Sequence, residues 1–282
     1  MVVELTQEQI VGEILKCRQN PIYYLESYGK VRHPIKGLLP FKLFDFQKDV
    51  VLKVVKNRFV IIVKSRQLGL STLMAGYVAW FASFYNNKEI LILANKGEVA
   101  TKFVAKVAIF LHNVPDFLKP EIKVENRQSL ELGNGSIIRA TTTTEDSGRS
   151  DALSLLVIDE AAMIKKVEEV YTAARPTLST GGACVIISTP KGIGNWFHKK
   201  YVEAETGNKE DSNDVNFVPM KLPWYLHPER DQAWADHELK DMGPTKFAQE
   251  HDCVTYETKI TVLDTITNEI KEIKIGELFN EL

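Results

Sequence analysis

A short segment, residues 64–72, has the composition of a phosphate-binding loop. It lies between an apolar run, residues 59–63, and an apolar stretch with helical spacing. Such a loop binds phosphate because its backbone N–H groups and the N-terminus of the following helix point at the anion. Gly69 permits close approach of the backbone, and the Ser71 hydroxyl is suited to Mg²⁺. We expect nucleotide contacts from the whole segment: Lys64, Ser65, Arg66, Gln67, Leu68, Gly69, Leu70, Ser71 and Thr72.

The loop departs from the standard motif at two positions. The usual pattern has a glycine at the first position and a lysine directly before the hydroxyl residue, whereas this sequence has Lys64 and Leu70 there. An ammonium group at the start of the loop can swing to the β- and γ-phosphates, so we hypothesise that Lys64 compensates for Leu70. The alternative is an ordinary turn between a strand and a helix, with Lys64 and Arg66 exposed.

Two adjacent carboxylates follow another apolar run, residues 155–158. Asp159 and Glu160 are costly at the end of a buried strand unless a cation or a reaction uses them. In a nucleoside triphosphatase, Asp159 would hold Mg²⁺, and Glu160 would orient and deprotonate the attacking water. The alternative is a strand that ends in solvated acids, and the presence of the loop in the same chain weakens it.

A further apolar run, residues 184–187, continues into Ser188 and Thr189. We expect these two hydroxyl side chains beside the γ-phosphate edge of the sheet, where they could sense hydrolysis. The alternative is that the strand simply ends here and is followed by a Pro-Gly turn without a functional role. Cys184, within the run, is interpreted as core packing.

The elements that must position these residues alternate between strands and helices. Four apolar runs predict buried strands: residues 59–63, 90–94, 155–158 and 184–187. The segments between them have helical spacing: residues 71–85, 98–113 and 166–175. This alternation predicts an α/β fold with a mostly parallel sheet flanked by helices.

Other segments depart from this alternation of strands and helices. Three strand-like runs with a Gly133-Asn134-Gly135 turn predict an antiparallel hairpin inserted in the sheet: residues 122–124, 130–132 and 136–140. Residues 6–18 predict a docking helix ahead of the main fold, and residues 224–249 predict a small helical subdomain. His227 and His251 are isolated in the sequence, so we assign them no role.

The composition sets few limits on function. The chain has 282 residues with 35 basic and 37 acidic side chains, so charge neither supports nor excludes a nucleic-acid partner. An odd number of distant cysteines, Cys17, Cys184 and Cys253, favours a reducing compartment. We expect no signal peptide, since Glu4 and Glu8 lie in the first ten residues, and no membrane-spanning segment.

Three motifs together resemble those of the large terminase subunits of tailed phages. They are Arg66-Gln67-Leu68-Gly69, the acidic strand at residues 157–161 and Ser188-Thr189-Pro190, in that order. The resemblance covers residues 41–252 and implies a RecA-like ATPase, with ATP and Mg²⁺, that pumps double-stranded DNA into a capsid. It also implies that Arg66 acts in cis on the γ-phosphate and that Gln47 reads adenine.

The segment after Asp252 resembles the first block of an intein. An intein begins with a cysteine, here Cys253, whose thiol attacks the preceding carbonyl, here that of Asp252; Thr258 belongs to the same block. The later block and the terminal asparagine are missing from this chain, so we expect no splicing by this chain alone. We favour a split intein over a sequence cut short. The alternative is that Cys253 is a small buried residue and Thr258 an ordinary strand threonine.

These interpretations predict four segments along the chain. They are an N-terminal helical extension (residues 1–40), the ATPase core (41–202), a helical subdomain (203–252) and an intein fragment (253–282). The implied partners are DNA, the portal ring, the small terminase subunit and a second chain carrying the other intein half and a nuclease. The resemblance implies a homo-oligomeric ring in the host cytoplasm, transiently at the procapsid portal, and no membrane partner.

Two other functions stay open. One is a helicase-like or remodelling ATPase, which strand-displacement assays would reveal. The other is a nucleotide-binding subunit that has lost hydrolysis because Leu70 replaces the lysine, which would bind ATP tightly without turnover.

Overall fold

A computed structural model describes residues 5–142, 152–207, 216–253, 259–263 and 270–274. In chain order, its α-helices are α1 (Gln7–Gln19), α2 (Pro21–Tyr28), α3 (Asp45–Lys56), α4 (Leu70–Phe84), α5 (Gly97–His112), α6 (Val167–Ala174), α7 (Trp196–Thr206), α8 (Gln232–Met242) and α9 (Pro244–Phe247). Its strands are β1 (Lys30–His33), β2 (Gly37–Pro40), β3 (Phe59–Lys64), β4 (Glu89–Ala94), β5 (Ile122–Glu125), β6 (Ser129–Leu132), β7 (Ile137–Thr142), β8 (Leu155–Asp159), β9 (Ala183–Ser188), β10 (Val218–Leu222), β11 (Lys259–Leu263) and β12 (Ile270–Lys274).

The centre of the molecule is a mixed, mostly parallel sheet. Within the described residues it has eight strands in the order β10-β3-β9-β8-β4-β7-β6-β5, and the pairs from β10 to β7 are all parallel. The α/β fold with a mostly parallel sheet is therefore confirmed. The four predicted strands are its central members β3, β4, β8 and β9, and the three predicted helices are α4, α5 and α6.

Helices cover both faces of this sheet, which explains the continuous apolar runs in its strands. Successive side chains of β3 point to opposite faces: Val60 and Ile62 join the hydrophobic cluster built with α3, α4 and α5. Ile61 and Val63 join the cluster built with α6 and α7. Cys184 is fully buried in the second cluster, in agreement with its interpretation as core packing.

The predicted inserted hairpin is part of a larger unit. The Gly133–Gly135 turn does join two antiparallel strands, with the Gly135 N–H donating to Leu132 O at 3.0 Å. However, β5, β6 and β7 form a three-stranded antiparallel meander, and β7 pairs in parallel with β4. The meander therefore extends the main sheet at one edge.

The N-terminal region is more than a docking helix. The predicted helix is present as α1, but α2 and the antiparallel β1–β2 hairpin were not predicted from the sequence. Cys17 of α1 and Tyr24 and Leu25 of α2 are almost completely buried in the cluster beneath α4 and α5. These elements are therefore part of the main hydrophobic core.

The strand β10 was also missed, and it belongs to the main sheet beside β3. Its sequence contains Pro219 and Lys221, which are atypical of a buried strand. Proline is tolerated here because β10 is an edge strand of the sheet. The predicted helical region at residues 224–249 is confirmed by α8 and α9, and α9 continues as a π-helical turn, Ala248–Asp252.

Two C-terminal strands are present where the chain is described. β11 and β12 form a separate antiparallel pair, whereas Thr258 lies outside the described residues. No helix in the described part of the chain is long and apolar enough to cross a membrane.

Candidate nucleotide site

The predicted phosphate loop joins the carboxyl end of β3 to the N-terminus of α4. Within the described residues, the backbone N–H groups of five consecutive positions make no hydrogen bond: Gln67, Leu68, Gly69, Leu70 and Ser71. The backbone turns sharply there, with φ of +60° at Gln67 and +74° at Gly69. A run of unpaired N–H groups at the start of a long helix is an anion-binding arrangement.

Gln47, on α3, supports this loop from the side. Its Nε2 donates to Leu68 O at 3.0 Å, and its Oε1 accepts from the Phe44 N–H at 3.1 Å. A Cβ on Gly69 would lie 2.9 Å from Gln47 Nε2, so position 69 requires glycine for space as well as for its positive φ. The structure therefore places Gln47 in contact with the loop, and its role in reading adenine stays a prediction.

Lys64, the last residue of β3, forms an ion pair with Glu160 at the start of the loop. Lys64 Nζ lies 2.8 Å from Glu160 Oε1, and the lysine side chain is only 5% exposed. The other carboxylate oxygen, Glu160 Oε2, accepts from the N–H and the hydroxyl of Thr189, each at 3.3 Å. Glu160 has φ of +54°, a strained conformation for glutamate that often marks functional sites.

The second predicted coupling residue, Ser188, is bound to the same acidic segment. Its hydroxyl accepts from the Ala162 N–H at 3.0 Å and donates to Thr189 O at 2.7 Å. Both Ser188 and Thr189 are almost completely buried. The carboxyl end of β9 is thus linked directly to Glu160 and to Ala162, as a sensor of changes at the Glu160 carboxylate would need to be.

Asp159 is a buried carboxylate, and one of its oxygens has no hydrogen-bond partner among the described residues. Burial, and then the neighbouring Glu160 carboxylate, raise its pKa, while a hydrogen bond from Ser71 and the charges of Lys64 and Lys106 oppose the rise. Its Oδ1 has no hydrogen-bond partner in the described residues. An uncompensated oxygen beside a serine hydroxyl fits a hard cation such as Mg²⁺.

Mg²⁺ usually takes only one or two ligands from the protein. Its other ligands are water and phosphate oxygens. The described part of the chain contains no group of three or more His, Cys, Asp or Glu residues arranged to hold a metal. Asp159 and Ser71 therefore fit a nucleotide-bound Mg²⁺ rather than a metal held by the protein alone.

Replacing Asp159 with Asn is expected to stabilise the metal-free protein. The substitution keeps the shape and removes a buried negative charge, which should raise the free energy of unfolding at neutral pH by about 1 to 3 kcal/mol. Thermal unfolding with and without Mg²⁺ and ATP tests this directly. Ligand should raise the melting temperature of the parent and have little effect on Asp159→Asn; equal shifts in both proteins would contradict the assignment of Asp159 to the metal.

Arg66 makes its contacts with the C-terminal helical segment. Its Nη1 lies 3.2 Å from Glu250 Oε2, and its side chain is 59% exposed. The backbone N–H of Arg66 donates to Glu250 O at 2.7 Å, and that of Ser65 donates to Leu222 O at 2.8 Å. The start of the loop is therefore anchored by two carbonyl groups, while the next five N–H groups stay available.

His251, for which the sequence suggested no role, also contacts the loop. Its Nδ1 is hydrogen-bonded to Ser65 Oγ at 3.1 Å, and Arg230 Nη1 donates to the same oxygen at 3.2 Å. His251 is 3% exposed. No sequence signal indicated this contact because 186 residues separate the two partners. His227, in contrast, packs against the ring of Phe44.

Acidification is expected to weaken the hydrogen bond between His251 and Ser65. Burial, and then the charge of Arg230, lower the pKa of His251 below its ordinary value of 6.5. The stability that depends on neutral His251 is therefore complete above about pH 6.5 and falls as the pH drops towards the lowered pKa. The decrease in melting temperature from pH 7.5 to 5.5 should be smaller in His251→Asn than in the parent. The exposed His237→Asn is the control, and an unchanged decrease in His251→Asn would contradict this account.

Cys253 lies at the end of the same segment and is fully buried. Its Sγ donates to Leu222 O at 3.3 Å, and burial raises the pKa of the thiol to about 12. The preceding residue, Asp252, accepts from Trp224 Nε1 at 3.2 Å. In this conformation the thiol is protonated and packed in the core, as the interpretation of Cys253 as a small buried residue predicted.

The mostly parallel sheet, the loop between β3 and α4 and the Asp159-Glu160 strand define an α/β fold with an arrangement suited to binding a nucleotide. The particular family follows from comparison with known proteins. Residues 61–267 match the family model described as terminase large subunit, T4-like virus type, N-terminal, and the chain belongs to that family. The match extends beyond Cys253, so it does not mark that residue as a boundary.

Solved structures share this fold. The large terminase ATPase domain of Thermus phage P74-26 is 22% identical, with a TM-score of 0.58 over 75% of this chain and 93% of that one. The HK97 bacteriophage large terminase is 16% identical, with a TM-score of 0.66 over 86% of this chain and 56% of that one. The large terminase of a thermophilic bacteriophage, in complex with ADP, is 13% identical, with a TM-score of 0.59 over 74% and 52%. The chain thus spans about half the length of the last two proteins.

Proposed function

We propose that this chain is the ATP-hydrolysing part of a terminase large subunit and drives viral DNA packaging. The observation that carries the proposal is the row of five N–H groups in the phosphate loop that have no partner among the described residues, next to the Lys64–Glu160 pair. The family supports the assignment, and a large terminase of the same fold, from a thermophilic bacteriophage, holds ADP. The substrate is ATP, bound with its phosphates against the loop.

Each residue of the site has a role in this proposal. Glu160 orients a water opposite the γ-phosphate and accepts its proton, and Lys64 supplies positive charge beside that position. Ser71 and Asp159 would hold Mg²⁺, which neutralises charge developing on the phosphate oxygens. Gln47 contacts the adenine, and the contact of Thr189 with Glu160 transmits the change in charge on hydrolysis to β9.

Arg66 must leave Glu250 to reach the γ-phosphate. An exposed ion pair is worth about 0 to 1 kcal/mol, and the Arg66 side chain is more than half exposed. The charge of a bound triphosphate is therefore sufficient to compete for it. In this proposal Arg66 is a γ-phosphate ligand only after nucleotide has entered.

The same function implies the partners of a packaging motor. They are double-stranded DNA, the portal ring, the small terminase subunit and further copies of this chain in a ring. The place of action is the host cytoplasm, at the procapsid portal during packaging. Membrane partners have no part in the proposal.

We also propose that residues 253–282 are the N-terminal fragment of a split intein, which joins this chain to a nuclease-bearing half. The supporting observations are the sequence beginning at Cys253 and the separate β11–β12 hairpin that follows it. Because the thiol of Cys253 is buried, association with the second half must expose it before it can attack the Asp252 carbonyl. Cys253 would then form the thioester.

Mixing the chain with the complementary half tests this splicing proposal. A ligated product whose mass lacks residues 253–282 is expected for the parent and not for Cys253→Ala. Cys184→Ala, which removes another buried thiol, should still splice. Persistence of both unligated chains in the parent mixture would reject the split intein.

The ATPase proposal is tested by phosphate release from the full chain, with and without double-stranded DNA. Turnover that rises with DNA supports the packaging function. Displacement of a DNA strand would favour the helicase-like alternative. Tight ATP binding without turnover would mean that Leu70, which is 1% exposed and provides no cation, has disabled hydrolysis.

A further inference from the structure

Two cavities meet beside the phosphate loop. One, of about 400 Å³, reaches Phe44, Gln47, Gly69 and Thr72. The other, of about 430 Å³, reaches Ser71 and Asp159. They share the same wall, made by Arg32, Lys106 and Ile109. Together they form a groove from the predicted adenine site to the predicted metal site, and its wall belongs to β1 and α5.

Lys106 is the unusual member of this wall. It is half-buried, and it makes no hydrogen bond or ion pair with any residue that the structure describes. One turn earlier on α5, Lys102 pairs with Glu98 at 2.5 Å. A half-buried cation without a partner is costly, and burial correspondingly lowers the pKa of Lys106. The charge that partly offsets this cost is that of Asp159.

The phosphate loop itself provides little positive charge to this groove. Leu70 is packed in the hydrophobic core where a standard loop has its lysine. Lys64 is bound to Glu160, and Arg66 is bound to Glu250. A nucleoside triphosphate carries several negative charges, so a cation outside the loop would add to the charge that Lys64 and Arg66 can provide.

We propose that Lys106 binds the phosphates of the nucleoside triphosphate from the α5 side and supplies the positive charge that Leu70 does not. Arg32, exposed on β1, contributes to the same wall. The proposal rests on the proposed function, since it concerns the same groove, and it names a phosphate-binding residue outside the loop. A bound phosphate would give Lys106 the direct anionic contact that it does not have among the described residues.

The test compares nucleotides that differ only in phosphate number. Equilibrium dissociation constants for ATP, ADP and AMP are measured by calorimetry with the full chain. A charge-assisted contact predicts that Lys106→Met weakens ATP binding about 10- to 100-fold and AMP binding much less. Lys106→Arg should recover most of the loss. Lys123→Met, at an exposed lysine of β5, should leave all three constants unchanged.

Each outcome decides the proposal. ATP binding by Lys106→Met within twofold of the parent would overturn it and leave the proposed ATPase function standing. Equal losses for ATP, ADP and AMP would also overturn it, because they indicate a packing role. A parent chain that binds no ATP would overturn the proposed function itself. Lys106→Gln is a second neutral variant, and thermal unfolding establishes that the variants used are folded.

Discussion

Glu160→Gln is expected to lower ATP turnover by about 10²- to 10⁴-fold, the usual contribution of a general base. The amide preserves the size of the side chain and can still accept from Thr189, but it cannot take a proton from water. ATP binding should stay close to that of the parent, since the substitution releases Lys64 from its 2.8 Å ion pair and leaves it free for phosphate. The measurements are phosphate release at saturating ATP and the dissociation constant for ATP.

A matched substitution separates this effect from a general loss of charge. Glu168→Gln changes an exposed glutamate at the start of α6 and should leave turnover unchanged. If Glu160→Gln retained turnover within tenfold of the parent, the catalytic base would have to be another group. An accompanying large loss of ATP affinity would instead indicate that Glu160 mainly maintains the structure of the site.

Lys64→Met is expected to reduce turnover by about 100-fold or more and to weaken ATP binding about tenfold or more. Methionine retains the apolar length of lysine in a position that is 5% exposed, so the fold should persist. Two effects add here. The loop loses one of its own cations beside the proposed phosphate site, and Glu160 loses the partner that holds its carboxylate. Phosphate release and calorimetric binding measure the two effects separately.

The double variant Lys64→Met with Glu160→Gln tests whether the two residues act as a unit. Residues in direct contact give non-additive effects, so the double variant should lose little more turnover than Glu160→Gln alone. Lys123→Met serves again as the exposed lysine control. Unchanged ATP binding in Lys64→Met would show that the backbone N–H groups bind the phosphates without this lysine.

Much of the fold could be predicted from the sequence because its central strands are continuous runs of Ile, Val and Leu. Each run that ends in a motif brings that motif to the same edge, since parallel strands have their carboxyl ends together. Lys64, Glu160 and Thr189, which are distant in the chain, were expected at this edge, and they are in contact there in the structure.

The missed features depend on contacts that leave no local pattern. β10 has a proline and a lysine in five residues, and only its position beside β3 makes it a strand. The contact of His251 with Ser65 arises because α9 and its π-helical turn lie against the loop. Lys106 is one lysine among many in the sequence, and only the folded groove shows that it is half-buried without a partner among the described residues.

The anchoring of the loop by Leu222 and Glu250 has a mechanical consequence. Both carbonyl groups are next to the chain that continues through Cys253: Glu250 precedes it by three residues, and Leu222 accepts from its thiol. A pull on the chain beyond Cys253 therefore reaches Ser65 and Arg66 through two short hydrogen bonds. The rate of ATP hydrolysis is therefore expected to depend on the force applied to the chain beyond Cys253.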